Sequence, residues 1–131
     1  MPQIYVILDS YLAKTFRPGE ALDVFIQSLP RVVERHFDIE GRNDNDIAIT
    51  IIQALKTVGE ANIQIEIRYT AGSDEYGTGE IFDPSSARQI ALIEGIHKLF
   101  KNHPGFGFNA PALTLSVWCK PYRGGEFKMF R

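Results

Sequence analysis

Apolar and polar positions divide this chain into alternating extended and helical segments. Residues 2–8 place Ile4, Val6 and Leu8 on one side of an extended chain and Tyr5 and Ile7 on the other, which predicts a short strand covered on both faces. A polar stretch over 9–19 leads into a helix expected over 18–37. There Leu22, Phe25, Ile26, Leu29, Val32, Val33 and Phe37 recur at spacings of three and four and form one apolar stripe. Pro30 removes a backbone donor inside that helix, so a kink at Leu29 is expected, or a division into two short helices. Turn formers fill 40–46, and the β-branched run 47–58 reads as a strand. Gly59 to Asn62 then reads as a hairpin connection into the cleanest alternation of the chain. In that strand, 63–71, Ile63, Ile65, Ile67 and Tyr69 oppose Gln64, Glu66, Arg68 and Thr70.

The segment 72–82 has the glycine content of a mobile loop, and Asp83-Pro84 gives a helix start, an acidic cap followed by proline. Leu92, Ile93, Ile96, Leu99 and Phe100 supply the stripe of this second helix, which should end between Asn102 and Gly105. Alternation returns over 112–120, with Leu113, Leu115, Val117 and Cys119 against Thr114, Ser116, Trp118 and Lys120. Arg123-Gly124-Gly125-Glu126 turns the chain into a short terminal strand, 127–131. The order is β-α-β-β-α-β with that last strand added, and its two halves form a weak pseudo-repeat of strand, helix and strand.

Composition narrows the function classes. With 131 residues, 44% hydrophobic and 23% charged, the chain has the balance of a single globular α+β domain spanning 1–131. A net charge of -2 disfavours nucleic acid, whose binding requires a basic surface. The single cysteine, Cys119, cannot form an internal disulfide, and its strand position reads as inert core. The first residues lack the pattern of a signal peptide and no apolar run is long enough to span a membrane, so the cytoplasm is the expected location. His36, His97 and His103 lie apart without carboxylates at ligand spacing, so no metal site is expected. Gly77-Thr78-Gly79 is no dinucleotide fingerprint, and no serine sits in a nucleophile-elbow pattern.

The Met1-Pro2 start on an apolar strand, followed by β-α-β-β-α-β, resembles the tautomerase superfamily. That superfamily includes 4-oxalocrotonate tautomerase, macrophage migration inhibitory factor and 5-carboxymethyl-2-hydroxymuconate isomerase. The last is the most similar, through Met1-Pro2, Leu29-Pro30, Gly41-Arg42, Ala71-Gly72 and Phe127-Lys128. The resemblance implies two helices on one face of a mixed sheet and a homotrimer with sites at subunit boundaries. It also implies cofactor-free isomerisation of small carboxylate substrates.

The resemblance further implies that Met1 is removed and that the Pro2 nitrogen becomes the catalytic base. A free α-amino group titrates near about 8, and an apolar pocket disfavours its charged form and lowers that value. Pro2 stands beside Ile4 and Val6, and a base tuned toward neutrality can move a proton between carbons. Arg42 matches the family's arginine after the first helix, and a guanidinium fork suits a substrate carboxylate. Arg68 is a second candidate, with pairing to Glu66 or to a neighbouring subunit as the competing role. Trp118 and Tyr122 either wall a pocket or serve as packing. Arg17, Arg31, Arg35 and Arg88 read as solvated, and Tyr69 as core. The other functional reading is a non-catalytic, oligomeric α+β binding module of tautomerase-like or ferredoxin-like build, since this topology serves many unrelated roles.

Overall fold

A computed structural model of the chain describes residues 2–37, 47–54, 61–71, 86–103 and 113–123. Strand β1 (Gln3–Leu8) is followed by a short helix α1 (Ser10–Thr15) and a long helix α2 (Ala21–Phe37). Strands β2 (Ala48–Gln53) and β3 (Ile63–Ala71), helix α3 (Ser86–Lys101) and strand β4 (Leu115–Arg123) complete the order. The strands form one mixed sheet in the order β2-β1-β3-β4. β1 runs parallel to β2 and antiparallel to β3, and β3 runs parallel to β4.

This order corrects the hairpin expected at Gly59 to Asn62: β2 and β3 are not neighbours, because β1 lies between them. β1 is apolar on both faces, and the central place gives its backbone groups partners along both sides. Each half of the chain is thus a parallel strand-helix-strand unit, β1-α2-β2 and β3-α3-β4. The two units meet along the antiparallel β1-β3 ladder, as the weak pseudo-repeat of the sequence foreshadowed.

Ile4, Val6 and Leu8 of β1 share one face with Ile63, Ile65, Ile67 and Tyr69 of β3 and Val117 of β4, all buried. Phe25, Ile26, Leu29, Val33 and Phe37 of α2 and Leu92, Ile96 and Phe100 of α3 cover that face. Phe25 meets Phe100 edge-on with ring centroids 5.5 Å apart, and Phe37 meets Tyr69 at 5.3 Å. Helix α2 is unbroken across Pro30, which is itself buried in the stripe, so the expected division into two helices does not occur. Its start lies later than Pro18: Gly19 adopts a left-handed φ of 82° and donates its N–H to Asp23 Oδ2 at 2.8 Å, so the chain turns before it coils.

Helix α1 occupies part of the polar stretch 9–19, for which the sequence pattern named no element. Asp9 caps it, with Oδ1 accepting the Leu12 N–H at 2.7 Å, and Leu12 is its one buried residue. Six residues with a single apolar anchor give no periodic signal. The other Asp9 oxygen accepts the Asn62 side-chain amide at 2.6 Å, and Asn62 Oδ1 accepts the Thr114 N–H at 3.0 Å. This latch ties the end of β1 to the starts of β3 and β4. β2 is shorter than 47–58 and ends at Gln53, while 55–60 fall outside the described residues. The expected turn at 40–46, the loop 72–82, the Asp83-Pro84 helix start and the terminal strand 127–131 also fall outside them.

Candidate active site and the open face of the sheet

The helices cover one face of the sheet, and the other carries the polar partners of the strand alternation. On that face, open among the described residues, the register sets Gln3, Arg68 and Lys120 in one row and Tyr5, Glu66 and Trp118 in the next. Glu66 has a side chain only 9% exposed, a burial that is costly for a carboxylate unless it is paired. Its Oε2 accepts both Nε and Nη2 of Arg68, at 3.0 and 2.6 Å, and its Oε1 accepts Lys120 Nζ at 2.8 Å. Burial pushes the Glu66 carboxyl up, but the hydrogen bonds and charges of Lys120 and Arg68 outweigh it and hold the group below its ordinary value. The Arg68 guanidinium also lies over the Tyr5 ring, 3.9 Å from its centroid, and Lys120 Nζ is 5.9 Å from the Trp118 centroid.

Arg68 therefore takes the pairing role with Glu66 that the sequence left open beside a substrate role. Trp118 is 39% exposed at the edge of the sheet. Tyr122 lies on β4 with its backbone registered to Thr70, two positions beyond Lys120. Arg42 lies outside the described residues. Pro2 is buried and lies one position before β1, at the sequence parity of Ile4, Val6 and Leu8. The structure thus gathers Arg68 and Trp118 on the open face and sets Pro2 on the other parity, one residue from Gln3, the register partner of Arg68.

Sequence reasoning missed Lys120 and Tyr5 as members of this cluster and met Glu66 only as a possible partner of Arg68. The available signal was the outward parity of Gln64, Glu66 and Arg68 beside that of Ser116, Trp118 and Lys120, but the alignment of β3 with β4 that joins them is not local. Arg17, Arg31, Arg35 and Arg88 are exposed, and Arg17 Nη1 donates to the carbonyls of Lys14 and Phe16 at 3.0 and 2.8 Å. Cys119 faces the helices, and burial pushes its thiol up to about 11, which keeps it protonated and unreactive near neutrality. Among the described residues no three His, Cys, Asp or Glu side chains are grouped to hold a metal ion, and no helix is long and apolar enough to cross a membrane.

No protein-family profile matches the sequence, and no curated protein matches it. Solved structures do. Over 97% of its length the chain is similar to a native fused 4-OT, covering 91% of that protein at a TM-score of 0.62 and 12% identity. A macrophage migration inhibitory factor-like protein from Entamoeba histolytica matches 99% of the chain over 96% of its own, at a TM-score of 0.54 and 12% identity. A 5-carboxymethyl-2-hydroxymuconate delta-isomerase matches all of it, 100%, over 87% of its own, at a TM-score of 0.56 and 13% identity. The chain has the α+β fold of the tautomerase superfamily.

Proposed function

We propose that this protein is a cofactor-independent tautomerase or isomerase that moves a proton in small unsaturated 2-oxo or 2-hydroxy carboxylic acids, with Pro2 as the base once Met1 is removed. The observation that carries the reading is the placement of Pro2: buried at the head of the central strand of a fold whose solved examples include a delta-isomerase and 4-OT proteins. A secondary amine freed there has an apolar setting that disfavours its protonated form, so it is a better base near neutrality than an exposed terminus. Arg42 is the arginine proposed to hold the substrate carboxylate, and Trp118 and Tyr122 are further proposed substrate residues.

The working unit in this reading is a homotrimer, as in fused 4-OT structures that are symmetric and asymmetric trimers. Among the described strands β2 lies at an edge of the sheet, which supports it: Ile51 and Ile52 are 40% and 37% exposed on a strand with no charge. Sedimentation equilibrium checks the assembly, with three chains per particle expected.

Another protein of this fold, Pt0534, is inactivated by 2-oxo-3-pentynoate, and the same reagent tests the base. A free proline nitrogen adds to the activated alkyne, so peptide mass spectrometry should find one adduct on Pro2 together with loss of enol-keto turnover. Pro2→Ala should lose turnover. Retention of Met1 on the purified native protein overturns the assignment. The second reading, a non-catalytic binding module, is favoured by the engagement of Arg68 with Glu66. It predicts unchanged properties in Pro2→Ala.

A further inference from the structure

Charge is distributed unevenly about the head of β1. The register puts Arg68 and Lys120 level with Gln3, in the row next to Pro2, and Glu66 level with Tyr5, in the row beyond. Glu66 offsets one of the two cations it binds, so the cluster carries one net positive charge. A chain of contacts leads from it toward Pro2. The Arg68 guanidinium lies 3.9 Å from the Tyr5 ring centroid, and the Tyr5 hydroxyl donates to Oε1 of Gln3, the residue bonded to Pro2, at 2.8 Å. Among the described residues the other elements at this end add a fixed background. β2 is uncharged along its ladder with β1. Phe37 packs on Tyr69, so the last turn of α2 brings Glu34, Arg35 and His36 to the helix side, where Arg88 Nη1 donates to the Phe37 carbonyl at 3.4 Å.

Resting on the reading of Pro2 as the base, we infer that the Glu66-Arg68-Lys120 cluster sets how basic the freed Pro2 nitrogen is, with Glu66 as the moderating charge. A positive field disfavours protonation of an amine, and Glu66 cancels half of the field of its two partners. Loss of Glu66 leaves the amine a weaker base; loss of Lys120 leaves it protonated closer to neutrality. The three side chains act on the base without touching substrate, so the role requires no free surface. Burial of this face against neighbouring subunits removes screening water and strengthens it.

Nitrogen NMR of protein labelled at proline tests this. Of the seven prolines only a freed Pro2 carries an amine, so its resonance is the one that titrates. Its midpoint should move down in Glu66→Gln, which leaves two positive charges, and up in Lys120→Met, which leaves no net charge, each by about half a pH unit or more. Tyr5→Phe cuts the contact with Gln3 and keeps every charge, so the wild-type midpoint is expected there. A purely structural role would displace both charge variants in the same direction. The Lys120 side chain is 47% exposed, so Lys120→Met carries the test even where Glu66→Gln does not fold. Coincident midpoints, shifts of one sign, or a shift in Tyr5→Phe as large as that in Glu66→Gln overturn the inference and leave Pro2 as the base. Absence of any titrating proline nitrogen in the wild type overturns the base assignment and this inference with it.

Discussion

The two strand-helix-strand halves share a backbone plan and differ in nearly all of their chemistry. In the first, β1-α2-β2, the interior strand is preceded by a buried proline and the edge strand is uncharged and β-branched. In the second, β3-α3-β4, the interior strand is preceded by Asn62, whose side chain is engaged by Asp9 and Thr114, and the edge strand carries Trp118 and Lys120. The end of β3 that corresponds to the Pro2 end of β1 is thus closed by a polar latch. Repetition supplies the shared core, and departures from repetition supply the candidate sites.

Changes to that shared core should have the largest effect. Phe25 joins the halves by packing on Phe100 and is fully buried, so Phe25→Ala should lower stability by about 3–5 kcal/mol in urea unfolding. The latch is particular to the second half, and Asn62→Ala should cost about 1–2 kcal/mol, with hydrogen exchange accelerating first at the Ile63 amide, which bonds to the Thr114 carbonyl. Adducts at Pro2 should form in that variant as in the wild type.

A pH series addresses the second half alone. The Glu66 carboxyl lies below its ordinary value in the folded chain, so its stabilisation is present above that ordinary value and is lost as pH falls through the lowered one. The urea midpoint should fall on acidification through that window, and Glu66→Gln should flatten the trend. The smallest effect is expected at Gly95, where a Cβ would come 3.0 Å from the His36 ring across the α2-α3 contact. The gain in helix propensity, roughly 1 kcal/mol, opposes a ring displacement of a few tenths of an ångström, so Gly95→Ala should change stability by less than about 1 kcal/mol. The same substitution in a His36→Ala background should be clearly stabilising.

What was legible in the sequence follows from the range of the interactions involved. The alternation of Ile63, Ile65 and Ile67 and the stripe from Phe25 to Phe37 are local periodicities imposed by a core, and they located β3 and α2. The hairpin reading failed because nearness in sequence favours direct pairing, whereas β1 inserts between β2 and β3 through ladders that no local pattern encodes. The same limit hid the cluster on the open face. Glu66 and Lys120 lie 54 positions apart, and only the β3-β4 register sets them side by side. Pro2 was legible as a candidate through the resemblance carried by the Met1-Pro2 start; its parity relative to Arg68 required the sheet.

The β1-β3 ladder has a consequence for how the chain holds together. Each half contributes one interior strand whose outer row of N–H and C=O groups is matched by the other half, and α2 and α3 close over the seam. The covalent connection between Gln53 and Ile63 supplies proximity, not a ladder of its own. A nick introduced within 55–60 should therefore leave a non-covalent heterodimer of fragments, each unstructured alone and regaining the native circular dichroism on mixing. What the intact chain adds is the effective concentration of a tether, on the order of millimolar.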